Sequence, residues 1–237
     1  VSTGTLTKTE DNPSNVFCTL NPLDIPAGAV MKLSHGNTTL GDSGGNDGDM
    51  GMRGSIGART GKYYWEVKNY SHGTLCVAKT NIRMIQNMTT SSPSSGVWGV
   101  QSAGNGTINS YNNGSFSNSN SFTDWNSGDI ISMALDLDNG KLFFGVNGAY
   151  KGLDNNSSDP VNGTNPCFTG VSAGDDFITV FTEHRSTADP ESSFNFGNGY
   201  FGTSAISSEG TNASGIGKFE YDVPTGYTAL STKGLNE

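Results

Sequence analysis

The side chains able to do chemistry are few in this chain and far apart. Cleaving a glycosidic bond takes two carboxylates a few ångströms apart, one as acid and one as nucleophile or base. An E-x-D-x-x-E stretch would set such a pair on one strand, and the sequence has none. Glu66 stands alone within YWEV, and the cluster Glu183-His184-Arg185 has no acidic partner at i+2. His35, His72 and His184 lie far apart in loop-like surroundings, which favours solvated surface histidines. No G-x-S-x-G elbow presents a serine nucleophile. Asp42, Asn46, Asp47 and Asp49 put hard oxygen ligands on a glycine loop, a pattern that could suit Ca²⁺. The twelfth position counted from Asp42 is Arg53, so the spacing is not that of an EF-hand and a solvated turn is favoured. Gly197-Asn198-Gly199 opens no helix and cradles no phosphate. The reading is no catalytic set, no metal centre and no cofactor.

Binding chemistry is better represented. Trp125 between Asp124 and Asn126 is placed to stack on a sugar ring while its neighbours bond hydroxyls; the structural alternative is an aromatic covering the edge of the fold. Tyr70, Tyr111 and Phe122 add aromatics to segments read as exposed loops. These six residues are the candidate ligand contacts.

The elements that must position them follow from composition and periodicity. The chain has 237 residues, 33 of them Gly, with abundant Asn, Ser and Thr, which favour tight turns and long loops over helices. Its 12 Phe, 8 Tyr and 3 Trp are enough to fill a core between two sheets. A net charge of −9 repels nucleic-acid phosphates and anionic lipid headgroups, and no apolar run approaches the roughly 20 residues that span a bilayer. The segment VSTGTLTKTED has neither the basic start nor the apolar run of a signal peptide. Cys18, Cys76 and Cys167 are too scattered for a disulfide framework or a zinc site and read as buried thiols.

Period-2 alternation marks GKYYWEVKN (61–69) as a half-buried strand, with Tyr63, Trp65 and Val67 on one face. Further strands are expected at 29–33, 52–58, 74–80, 97–102, 108–114, 167–172, 177–183 and 193–197, with 115–128 as loop. The clearest element is IISMALDLDNGKLFFGVNG, a hairpin with Leu135 and Leu142 on the inner face and Asp138-Asn139-Gly140 at its turn. Asn147-Gly148 reverses the chain again. Pro224 and Gly226 form a turn in an extended tail that carries Tyr221, Tyr227 and Leu230 onto the body.

Four motifs in order, GKYYWEV (61–67), GDIISMALDLDNGKLFFGVNGAYKG (128–152), CFTG (167–170) and FNFGNGYF (194–201), resemble the SPRY domains. That resemblance implies an all-β fold, a two-layer antiparallel β-sandwich of concanavalin A-like jelly-roll architecture. Its core would contain Trp65, Leu135, Leu142, Phe144, Phe181 and Phe196. Residues 1–60 are then a polar arm and first strands, 61–201 the SPRY-like core and 202–237 an extended segment packed on it, all one domain. It also implies binding through loops at one end, with 41–49, 70–73, 89–96, 112–127 and 184–192 as candidates. The flanks DNPSNVFCTLNPLD and VPTGYTALSTKGLN look like those of SPRY-like proteins of bacterial viruses. The expected function is a non-enzymatic structural or adhesion protein of a bacteriophage virion (fibre, tail accessory or capsid decoration). Its partners would be other virion proteins or a host surface protein or glycan, met as a homo-oligomer in an assembly. The alternative is a secreted or surface-displayed bacterial lectin-like or protein-binding module; a glycan-cleaving enzyme ranks last.

Overall fold

A computed structural model describes residues 12–24, 31–42, 50–68, 73–82, 95–102, 108–118, 121–122, 125–184 and 191–237. Among the described residues there are seventeen strands and two three-residue 3₁₀ turns. The first eight strands are β1 (Met31–Ser34), β2 (Thr39–Asp42), β3 (Met50–Ala58), β4 (Lys62–Lys68), β5 (Gly73–Lys79), β6 (Val97–Ser102), β7 (Ile108–Asn112) and β8 (Ser115–Ser117). Then come β9 (Ile130–Asp136), β10 (Lys141–Val146), β11 (Ala149–Lys151), β12 (Phe168–Thr169), β13 (Ile178–His184) and β14 (Ser192–Asn195). The short β15 (Tyr200–Phe201), β16 (Ser204–Ala205) and β17 (Thr228–Ala229) close the series.

Two antiparallel sheets form the body. One runs β1-β2-β14-β4-β9-β10-β11, with β12 on β10 and β17 on β4; the other runs β3-β13-β5-β6-β7-β8. The expected hairpin is β9–β10, in register from Asp136↔Lys141 to Ile131↔Val146. Its register sends Trp65, Met133 and Phe144 to one face. There they share a core with Leu75, Val77, Trp98, Val100 and Val180 of the other sheet. Leu135, Leu142 and Phe196 lie in that same core.

Three expectations change. Phe181 is buried, but in a separate small cluster with Cys76, Ala78, Val97 and Tyr111. Strand alternation explains this: Val180 pairs with Val77 on the inner face, so Phe181, opposite Cys76, must point outward. The span 115–128 is not all loop, because β8 extends the sheet from β7 across the Asn113-Gly114 turn. Finally, β4 is buried on both faces rather than one, as is β9.

The second cover is the chain's own C-terminal segment. Phe219 meets Tyr64 edge-on at 4.9 Å, and Tyr227 is buried over the same face. The turn predicted at Pro224 forms, with Tyr227 N–H donating to Pro224 C=O at 3.0 Å and Gly226 at φ 89°. β17 then runs parallel to β4 at Tyr63 and Tyr64, just past the point where β14 stops pairing. The N-terminal segment completes the cover. Cys18 N–H donates to Leu230 C=O and Thr232 N–H to Val16 C=O, while Ser55 N–H on β3 donates to Thr19 C=O.

Candidate functional site

The polar residues of the sequence motifs are bonded to one another. Glu66, fully buried on the outer face of β4, accepts four hydrogen bonds. Oε1 takes Tyr64 Oη–H and Tyr221 N–H, each at 2.8 Å; Oε2 takes Glu220 N–H at 2.9 Å and Asn195 Nδ2–H at 3.2 Å. Four donors on two oxygens is a set suited to an ionised carboxylate. Burial nevertheless outweighs them and pushes the Glu66 pKa up. Asn195, from the late FNFG motif, is saturated: Nδ2 also donates to Lys218 C=O, and Oδ1 accepts Gly197 and Gly199 N–H at 3.0 Å each. Gly197 has to be glycine, because at φ 124° an added Cβ would sit 2.6 Å from the Phe17 ring. One carboxylate thus ties YWEV, FNFG and the C-terminal segment together.

Asp136 and Asp138 act in the same way. Asp136 accepts Asn139 N–H and Nδ2–H at 2.9 Å each and Lys62 Nζ–H at 2.9 Å, so it serves its own turn and strand β4 rather than a neighbouring loop. These partners hold its carboxyl below the usual aspartate range despite burial, which alone would raise it. Asp138 accepts Gly61 N–H at 2.7 Å. A third lock, Arg53, forks onto the Asp24 carboxylate and the Thr80 carbonyl.

Strand polarity decides where a partner can be met. The connections 43–49, 69–72, 103–107 and 185–190 all leave strand ends at one end of the sandwich. There the ends of β2, β4 and β14 meet those of β3, β5, β6, β7 and β13. Of the candidate loop 89–96, the described residues 95–96 precede β6 at the end opposite this rim, beside the Asn113-Gly114 turn.

At the rim, the described residues form a braced corner. Asn147 and Gly148 hold φ 49° and 82°, the two positive values that a two-residue type I′ turn requires. Asn147 Nδ2–H donates to Asp129 Oδ1 at 2.7 Å, and its Oδ1 accepts Ile130 N–H at 3.0 Å. Asp129 Oδ2 accepts Asn126 N–H at 2.7 Å. Asn126 is exposed, and the Tyr221 ring packs against Gly148.

The structure redistributes the sequence candidates. Trp125 and Phe122 are each 3% exposed and belong to the inter-sheet core, and Tyr111 is 1% exposed in the smaller cluster. The expectation of exposed rings at Tyr111 and Phe122 is therefore corrected, because low-complexity flanks hid the sheet that each ring covers; for Trp125 the alternative reading, an aromatic covering the fold, is the one the structure has. Of the six candidates, Asn126 remains at the surface. Tyr70 and Asp124 fall outside the described residues, as do Asn46, Asp47 and Asp49 of the acidic loop; Asp42 ends β2. Asn147-Gly148 was legible in the sequence as a turn, but the bond from Asn147 to Asp129 was not visible there. The attachment of Glu220 and Tyr221 to Glu66 left no local signal at all, since 154 and 155 residues separate them.

The sequence matches no family model and no curated protein. Among solved structures, the SPRY domain of human HERC1 aligns with a TM-score of 0.52 and 17% identity, over 74% of this chain and 96% of that one. The PSpry domain of TRIM65 aligns with a TM-score of 0.51 and 19% identity, over 75% and 87% of the two chains. At such identities the likeness carries the fold and nothing finer. The chain has the SPRY fold, a two-layer antiparallel sandwich of the concanavalin A-like kind.

Proposed function

We propose that this chain is a non-catalytic recognition module that meets its partner at the rim where the two sheets' connections gather, and that it serves as a structural or adhesion protein of a bacteriophage virion. The convergence of four inter-strand connections at one end of a rigid sandwich carries the reading, because binding residues concentrate on loops that a stiff scaffold holds. The assignment of the polar motif residues supports it. Glu66 and Asp136 are enclosed and bonded to the protein, out of reach of a saccharide. The viral part rests on the two flanking segments. Those that resemble SPRY-like proteins of bacterial viruses are the same ones that hydrogen-bond to each other across Phe17 and Ser231. They are built into the fold as one unit. In an assembly the module would occur in repeated copies, with neighbouring virion proteins or a host surface protein or glycan against the rim.

The test has two arms. Fractionation of the source sample, with the chain followed by antibody, should find it in purified virus particles; recovery in bacterial surface or secreted fractions free of particles would replace the viral reading with the bacterial one. Fluorescently labelled protein should be retained on host cells, and Asn126→Arg, at an exposed rim position, should reduce retention without shifting the melting temperature. Retention unchanged by rim substitutions would refute the rim.

A further inference from the structure

We propose that Asn113-Gly114, the turn between β7 and β8, is a self-modification site, where the asparagine converts to aspartate and isoaspartate in the folded protein. Five Asn-Gly steps lie among the described residues, at Asn113, Asn139, Asn147, Asn162 and Asn198. Glycine has no side chain to shield its backbone nitrogen, so all five share the local sequence that lets that nitrogen attack the asparagine side chain. What separates them is how the reacting atoms are held.

The reaction needs only water and hydroxide. The Gly114 nitrogen bonds to Asn113 Cγ and gives its proton to hydroxide, leaving the negative charge of the tetrahedral intermediate on Oδ1. The Cγ–Nδ2 bond then breaks, and Nδ2 takes a proton from water and departs as ammonia. Water opens the resulting five-membered imide at either carbonyl, which yields aspartate or isoaspartate.

Asn113 and Gly114 are exposed, and neither Asn113 Nδ2 nor Gly114 N–H has a hydrogen-bond partner among the described residues. The leaving group and the nucleophile are therefore both unrestrained. Gly96 N–H donates to Asn113 Oδ1 at 2.7 Å, and this is the oxygen on which charge develops. Each of the other four steps is held. Nδ2 of Asn139, Asn147 and Asn162 donates to the carboxylates of Asp136, Asp129 and Asp159, at 2.9, 2.7 and 2.6 Å. Departure of Nδ2 there breaks a charge-assisted bond, and the new carboxylate would face an existing one. At Asn198 the nucleophile is engaged instead, since the buried Gly199 N–H donates to Asn195 Oδ1 at 3.0 Å. Isoaspartate at 113 would lengthen a two-residue turn whose φ values of 48° and 93° suit the type I′ form, and so loosen the edge strand β8. The site lies at the end opposite the rim.

Purified full chain, held at mildly alkaline pH below its melting temperature and followed by peptide mass mapping, tests the site, with urea-denatured chain in parallel. In folded protein Asn113 should convert at least about tenfold faster than the other four, the factor one charge-assisted hydrogen bond is worth in a barrier. In urea the five should react at similar rates. Asp159→Ala releases the Asn162 amide and should speed its conversion by about the same factor while leaving Asn113 unchanged. Asn113 level with or behind any other step in the folded chain, the same lead for Asn113 in urea, or an Asn162 rate unmoved by Asp159→Ala would overturn the proposal.

Discussion

Replacing Glu66 by Gln is the sharpest test of how this fold is held together. Gln supplies one acceptor oxygen where Glu supplies two, and the NH₂ it introduces must face donors whichever way the amide turns. On the Oε2 side it meets Glu220 N–H and Asn195 Nδ2–H, and Asn195 cannot flip because its own oxygen accepts Gly197 and Gly199. On the Oε1 side, Tyr64 can turn its hydroxyl toward Ser132, 3.0 Å away, and accept; Tyr221 N–H cannot adapt. The better orientation therefore leaves one buried backbone N–H unpaired and weakens the remaining charge-assisted bonds, a cost of about 2–4 kcal/mol. For a chain of this length that is a fall in melting temperature of roughly 5–15 °C. Circular dichroism measures the melt, and hydrogen exchange at the Glu220 and Tyr221 amides should report local loosening of the C-terminal segment. The effect depends on pH with a definite sign. Burial raises the native Glu66 pKa above that of the unfolded chain, so native protein holds the proton to higher pH. This group's contribution is then full below the unfolded pKa and is lost as pH rises through the native one. Gln does not titrate, so the variant should lack this part of the pH dependence of stability. A variant that melts within about 2 °C of wild type, with both amides still slow to exchange, refutes the fastening role.

Trp65→Ala should cost about 3–5 kcal/mol in a denaturant melt, as large core truncations do; near-wild-type stability would remove Trp65 from the core. Trp125→Ala should also lower stability, by about 3 kcal/mol or more, since its ring is buried; an unchanged melt with lost ligand binding would restore it as a contact residue. Asp136 titrates with the opposite sign to Glu66. Its lowered native pKa gives stability that is present above the ordinary aspartate value and lost as pH falls through the native one, so Asp136→Asn should flatten the acid limb of the stability curve. Burial pushes the thiols of Cys18 up to about 11 and Cys167 up to about 12, so a thiol reagent at pH 8 should label neither until the protein is denatured.

Local chemistry made much of the architecture readable in advance. Strict alternation in YYWEV and in ISMALDL places every second residue on one face, and Asp-Asn-Gly and Asn-Gly permit the left-handed turns that join such strands, so β4, β9 and β10 could be drawn from the sequence. The order of four motifs then named the sandwich. Alternation alone does not say which side of a strand is covered, however. Phe181 faces away from the inter-sheet core, and β4 is enclosed twice, because a segment more than 150 residues later in the chain closes over it. The burial of Tyr111 and Phe122 was equally hidden: an aromatic in a polar run looks exposed until the fold supplies a surface for it. Residue types and their spacing determined the strands, the turns and the overall class, since these depend on neighbours within a few positions. Only the tertiary structure decided that Glu66 is a fastener and that Ser95 and Gly96 lie at the end opposite the rim, since each depends on groups that come together only after the chain has closed on itself.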